Sequence, residues 1–366
     1  MLCFFVLAFV ISRWVSISHD STVKAGDNSS YDRHHDFGTN EKILDLGIQP
    51  LWLPAGIVAE VMKRDRHLRR ELRKLGMEIR FHPFSKGADV NRSLHSGQLE
   101  GGMGGDMPTI SACANGPVRV TSLMDMNFTA IVSRDFMVLS DLRGLRLGYA
   151  FGSNAHYMLL SALERNGLNE ADVTLVSMDA PDMLPALERG DIEAFSAWEP
   201  ITTLATQRHG FNVIHKFLST GYLYFAHTFA ERHPEAVERL VAAQFRALRW
   251  LERSEAHLSL AVSWSTRSIH NFLGKEFALT ANEMKPMAQK SLRHLWSLPL
   301  FPRNGMANDG HLEQATRFLG RIGKIPPHAT WTSIKNCFHP ETGERILKDA
   351  NLHHLDVFDI HGVLPE

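Results

Sequence analysis

Two short polar turns at predicted helix starts hold the residues of this chain best suited to chemistry. Gly152-Ser153-Asn154 precedes a helical pattern over 156–165, and Ser85-Lys86-Gly87 precedes another. Small side chains there leave the unpaired N–H groups of a first helical turn open to a ligand, and the helix dipole favours negative charge. Ser153 and Asn154 are also residue types that cap helices, and the two roles use neighbouring groups. Lys86 adds a mobile positive charge, at what reads as the corresponding turn of a first unit. One helix terminus contributes about 0.3–1 kcal/mol, or about 2 when partly buried. Micromolar binding needs about 8 kcal/mol. A single turn is insufficient. Two facing turns, several charge-assisted hydrogen bonds of about 1.5–3 kcal/mol each and an apolar wall suffice.

Such a wall is offered by Trp198, whose ring has a broad apolar face and one donor, beside Glu199, which can accept from an amine. Trp198-Glu199-Pro200 closes a segment that restates an earlier one. Asp89, Leu94, Gly97, Glu100 and Asp106 recur ninety-three positions later as Asp182, Leu187, Gly190, Glu193 and Glu199. Each copy reads as an amphipathic helix, a glycine stop, a short apolar strand and an acidic turn leading to proline. Asp106-Met107-Pro108 is the first copy's turn, where Asp106 also suits a helix start. Two similar units face each other across a cleft, where small molecules bind. An acid beside an anion site favours a ligand carrying both signs.

The surrounding elements alternate. Leu44–Ile48 reads as a first strand, 56–75 as one long helix stopped by Gly76, and 78–84 as a second strand. Gly101–Gly105 is a glycine-rich strand end that admits close approach of backbone or ligand. Residues 118–124 and 129–133 are two separate strand-length runs. A turn and strand over 141–150 open a second unit, with a helix at 156–165, a strand at 173–177, and further strands at 211–214 and 222–226. From Pro234 the chain turns helical. Strands alternating with helices predict open, mostly parallel sheets covered by helices.

Length, at 366 residues, suits about two domains. Lys and Arg total 39 against 40 acids, so there is no basic field for a nucleic-acid partner. The block 64–74 mixes charges with leucines at helical spacing and reads as a solvated helix face. The 20 histidines are scattered, without zinc spacing or a C-x-x-C, so no metal ligand is assigned. Beyond Cys3, the cysteines are Cys113 and Cys337; one disulfide or two buried free thiols both fit. No G-x-S-x-G, P-loop or G-x-G-x-x-G after a strand occurs, and no Ser/His/Asp spacing selects a triad, so no catalytic residue and no cofactor are assigned. Leu2–Ile11 is an apolar run, short of the roughly 20 residues of a membrane span, and resembles the core of an export signal. Cys3 lacks the small-residue context of a lipid-modified cysteine. Periplasmic export is expected, with residues 1–17 a signal peptide or an inner-membrane anchor and 18–40 a flexible leader.

With these residues assembled, the chain resembles the nitrate/sulfonate/taurine group of ABC-transporter solute-binding proteins (the NMT1/THI5-like group) over about 44–324. The likeness is carried by 142–168 (LRGLRLGYAFGSNAHYMLLSALERNGL), 187–200 (LERGDIEAFSAWEP), 96–108 (SGQLEGGMGGDMP) and 229–240 (FAERHPEAVERL). The resemblance implies a type II periplasmic-binding fold, two α/β lobes closing by a hinge on a ligand cleft. Lobe one would take 41–133 and 226–330, lobe two 134–225, with 331–366 a C-terminal tail. The implied ligand positions are Gln49, Lys86, Asp106, Asn127, Ser153, Asn154, Trp198 and Glu199, to which Ser85, Met107 and Tyr222 are added. The implied role is a monomeric receptor that hands a small anionic or zwitterionic solute to a permease. Alternatives are a pyrimidine-precursor binding protein or thiamin-related enzyme of the same fold, whose cysteine-rich motif this chain lacks, or a ligand-sensing domain. The helix at 56–75 and the tail after Trp331 depart from the family pattern.

Overall fold

One eight-stranded sheet organises the computed structural model, which describes residues 35–37, 42–274, 279–296, 300–302 and 304–362. The apolar segment and nearly all of the leader fall outside the described residues. The strands are β1 (Ile43–Ile48), β2 (Glu78–Pro83), β3 (Gly101–Gly105), β4 (Val118–Ser133), β5 (Arg146–Tyr149), β6 (Thr174–Ser177), β7 (Ala194–Ala197) and β8 (Asn212–Ala226). Their order across the sheet is β2-β1-β3-β8-β4-β7-β5-β6. The outer triplets β2-β1-β3 and β6-β5-β7 are each parallel, as strand–helix alternation predicts. They repeat one connectivity on the two sides of a central antiparallel ribbon of β4 and β8.

That ribbon joins the two triplets into one sheet and adds antiparallel pairing to the open, mostly parallel strands expected from the sequence. The two runs read in 118–133 are one strand of 16 residues, and 211–214 and 222–226 belong to one strand of 15. The polar residues that looked like gaps are buried and partnered from elsewhere. Trp52 Nε1 donates to Asp125 Oδ2 at 3.0 Å, and Asn127 Nδ2 donates to Ser291 Oγ at 2.7 Å. Register shifts at three places bend the ribbon as it passes from the first triplet to the second.

The helix expected over 56–75 is broken. Helix α1 (Ala55–Arg64) ends at Asp65, whose side chain accepts from Leu68 N and starts α2 (Arg66–Lys74). An Asp cap inside a helical pattern redirects the chain because it satisfies a first-turn N–H in a non-helical backbone conformation. The duplicated segments fold alike. Helix α3 (Gly87–His95) runs to the left-handed Gly97, φ +75°, and then to β3; α6 (Ala180–Arg189) runs to the left-handed Gly190, φ +78°, and then to β7. Positive φ at both stops is why glycine holds them. Helix α4 (Asp106–Asn115) follows β3, and α7 (Ile201–His209) follows β7 after the Trp198-Glu199-Pro200 turn. Helix α5 (Asn154–Arg165) follows β5.

After the short α8 (His227–Arg232), α9 (Pro234–Arg253) and α10 (Glu255–Leu273) pack on α1, and α11 (Ala281–Trp296) packs on β4 and α10. Trp250, Phe245 and Leu251 of α9 are buried, each worth about 1.5–3 kcal/mol on transfer from water. Beyond α12 (His311–Arg321), the segment read as a tail forms α13 (Trp331–Lys335) and α14 (Pro340–Lys348) and is stitched onto the sheet. Val120 N donates to Cys337 O and His339 N to Val120 O, both at 2.8 Å; Arg66 N reaches Asp359 O at 2.9 Å.

Candidate functional site

The C-terminal ends of β1, β3, β5 and β7 converge, the usual place for a ligand in open α/β sheets. Gln49 follows β1, Gly105 ends β3, Trp198 follows β7, and the turn after β5 leads to Ser153 and Asn154. With Trp52, Gly87, Pro108 and the ribbon residues Thr129 and Ser219 they line a cavity of about 30 Å³, room for about one water. The starts of α3 and α5 meet there. A Cβ on Gly152, φ +71°, would lie 2.7 Å from Ala88 Cβ, so only glycine allows this approach.

The walls are held by their own polar groups. Ser153 Oγ caps α5, accepting from His156 N at 3.2 Å and donating to Ala150 O at 2.7 Å. Asn154 Oδ1 accepts from Met107 N at 2.9 Å, and its Nδ2 donates to Thr220 O at 3.2 Å. Gln49 Nε2 donates to Met103 O at 2.7 Å, and Trp198 Nε1 to Leu51 O at 2.9 Å. Lys86 is buried rather than mobile: its ammonium lies 3.2 Å from Asp179 and 3.8 Å from Asp89. Sequence reasoning placed Ser85-Lys86-Gly87 at the turn matching Ser153. Strand order corrects this: the counterpart of α3 is α6, while α5 answers to α1. Ser85 is half-buried on the turn before Lys86.

The remaining sequence candidates divide between another cavity and this one. Asp106 is buried below it, accepting from Thr220 N at 2.9 Å and from the Thr220 hydroxyl. Tyr222 Oη shares that hydroxyl at 2.7 Å, and burial holds its phenol well above the ordinary range. Asn127 and Glu199 line a different cavity, of about 340 Å³, with Lys216, Lys290 and residues of α7 and α11. Glu199 there caps α7, accepting from Thr203 N at 3.1 Å and Thr203 Oγ1 at 2.8 Å. The cleft thus gathers Gln49, Ser153, Asn154 and Trp198 on its surface, and leaves Asn127, Glu199 and Tyr222 off it.

With this arrangement in view, the similarity to known proteins decides the family. The model of the NMT1-like family matches residues 54–264, more than half of the chain. The chain belongs to that family. Among curated proteins, the taurine-binding periplasmic protein of Escherichia coli is 27% identical over 224 residues, 56% of this chain and 68% of that one. Among solved structures, the periplasmic aliphatic sulphonate-binding protein SsuA of Escherichia coli matches with TM-score 0.60 and 19% identity, over 81% of this chain and 92% of that one. The periplasmic nitrate-binding protein NrtA of Synechocystis matches with TM-score 0.60 and 13% identity, over 84% and 88%. The fold of this NMT1-like protein is that of periplasmic binding proteins, as the sequence resemblance implied.

Four contributors to this NMT1-like site escaped sequence reasoning: Trp52, Thr129, Ser219 and Asp179. One signal was present. Lys86 and Asp179 stand at the repeat offset of 93, so the ion pair joins equivalent positions of the two copies. The other three carry no local pattern, because they reach the cavity only once the ribbon forms.

His311, at the start of α12, lies 3.7 Å from Asp106. Burial alone would lower its pKa, but the negative charge of the nearby Asp106 outweighs burial and raises it. The stabilisation this raised pKa gives is fully present below the unfolded-state value of about 6.5 and is lost as pH rises through the folded-state value. Thermal unfolding followed from pH 6 to 9 should therefore show a downward slope in the wild type that flattens in His311→Gln. Parallel profiles for the two proteins would refute the assignment.

Proposed function

We propose that this protein is an extracytoplasmic solute-binding receptor of an ABC importer, without catalytic activity. It closes on a small anionic or zwitterionic solute of the sulfonate, taurine or nitrate kind and passes it to a permease as a monomer. The halves that move are 41–133 with 226–330, and 134–225. The observation that carries the reading is the meeting of the α3 and α5 starts at the converged strand ends, with Gly152 set against Ala88. Export is supported by the periplasmic relatives and by the apolar run near the N-terminus. Among the described residues no helix is long and apolar enough to cross a membrane.

Hinge closure fits the way β4 and β8 run continuously from one triplet to the other, since strands that span both triplets can bend where their register shifts. It also fits the residual volume of about 30 Å³. A solute enters by parting the walls, and closure then points first-turn N–H groups at it from two helices.

Calorimetry with taurine, short alkanesulfonates and nitrate tests the reading. Saturable binding of at least one is expected, and no heat or thermal shift with any small polar solute would overturn it. Ser153→Asp keeps a capping oxygen but adds a negative charge at the α5 start, and should weaken binding of the responding solute tenfold or more. Unchanged affinity would remove Ser153 from the site.

A further inference from the structure

Two cysteines from distant parts of the chain are set against each other, and the solute-binding reading uses neither. Cys113 is half-buried in α4, and Cys337 is buried two residues past the end of α13, which packs on α4. Their thiols interact with each other across the contact of α13 with α4. Cys337 is fixed from the other side, because its carbonyl accepts from Val120 N at 2.8 Å and its sulfur donates to Ser333 O at 3.7 Å. The backbone around both thiols is therefore anchored, Cys113 in a helix and Cys337 on the edge of β4. Two interacting thiols on anchored backbone meet the first requirement for a disulfide, proximity.

We propose that Cys113 and Cys337 are a dithiol which a disulfide oxidant closes into an intramolecular bridge, fastening residues 331–362 to α4. Either thiol, once ionised, attacks one sulfur of the oxidant, forming a mixed disulfide and expelling a thiolate. The other cysteine then loses its proton and attacks the protein sulfur of that mixed disulfide. The protein disulfide forms, the second thiolate leaves, and the oxidant is recovered as two thiols. Such bridges persist in oxidising compartments.

The bridge closes a loop of more than two hundred residues, the case in which a cross-link restricts the unfolded chain most. It also acts next to the cleft, since Asp106, Met107 and Pro108 form the first turn of the same α4. The redox state of the pair would then set how firmly that cleft wall is tied to the C-terminal segment.

The test treats the folded full-length protein with oxidised glutathione, quenches with acid, alkylates free thiols and maps the peptides. The expected result is a joined Cys113–Cys337 peptide, about 2 Da below the sum of its parts, that separates after dithiothreitol. The unfolding midpoint should fall by several degrees on reduction in the wild type and stay put in Cys337→Ser. Recovery of both cysteines alkylated, or capped singly by glutathione, would overturn the proposal. The mapping is read on the wild type, so it stands even if the serine variant folds poorly.

Discussion

Arg246→Ala is expected to remove about 3–5 kcal/mol of stability, enough to unfold much of a protein whose total is on the order of 5–15 kcal/mol. The Arg246 and Asp65 side chains are each 2% exposed, with Nη2 and Oδ2 2.7 Å apart. Arg246 Nε also reaches Oδ2 at 2.8 Å, and Nη1 donates to the carbonyls of His353 and His354 at 3.2 and 3.4 Å. One guanidinium therefore ties α9 to the break between α1 and α2 and to the C-terminal segment. Its removal leaves a buried carboxylate without a counter-charge and two carbonyls without donors, each a named cause of large losses. The attraction itself is not the main quantity, because desolvating both charges offsets most of it. The paired change Arg246→Met with Asp65→Asn should hence recover a large part of the loss, since an asparagine side chain can still cap α2. Urea unfolding followed by circular dichroism measures both. A loss under about 1 kcal/mol in Arg246→Ala would show that the pair is replaceable by water.

This interaction shows where the sequence could be read and where it could not. Asp65 sits in a run whose leucines keep helical spacing, so pattern alone favoured one unbroken helix over 56–75. What stops it is an arginine 181 positions away, which supplies the counter-charge that a buried Asp cap needs at that point. Sequence pattern is blind to such partners. The ribbon strands divided for the same reason: the polar Asp125 and Asn127 separate two apolar runs in sequence, and in the fold they bond to the distant Trp52 and Ser291. Elements that depend on local signals fared well. β1, β2, β3 and α9, and both glycine stops of the duplication, lie within a residue or two of where periodicity and Gly chemistry put them.

The site was legible in proportion to its locality. Ser153 and Asn154 were found because a helix start advertises itself in a few adjacent residues. Lys86 was found but misread as mobile, since nothing beside it reveals the carboxylate that precedes α6. The repeat offset held that information: applied to Lys86 it points at Asp179, the position preceding α6. Internal duplication thus carries tertiary contacts as well as fold, because equivalent turns of two related halves come together across the cavity they share. Glu199 and Asn127 were grouped with the cleft on resemblance, yet their side chains bond to α7 and α11, which only the packing of the helical region determines.

Gly105→Ala offers the second large effect, and it bears directly on the cavity. Gly105 has φ −73° and ψ −172°, a conformation open to alanine, so backbone strain is not the issue. A Cβ there would lie 2.2–2.4 Å from Nδ2, Cγ and Oδ1 of Asn154, and the whole carboxamide must move. Asn154 would then lose its bonds to Met107 N and Thr220 O, which join the α5 start to α4 and the ribbon. Two hydrogen bonds at about 0.5–1.5 kcal/mol each, with about 1–3 kcal/mol for overpacking, amount to roughly 2–6 kcal/mol against the closed arrangement. Solute affinity should fall about 30-fold or more, since each 1.4 kcal/mol is about tenfold, and binding weakens as the closed state becomes less populated. Asn154→Ala separates obstruction from any other consequence of the methyl group. In that background the carboxamide is gone and the Gly105 substitution should add less than about 1 kcal/mol, giving a coupling of at least about 1 kcal/mol in the double-mutant cycle. Calorimetric affinity and urea unfolding supply two readings of the same cycle. If Gly105→Ala cost as much without the Asn154 carboxamide as with it, the close approach of β3 to the start of α5 would not be what shapes this cavity.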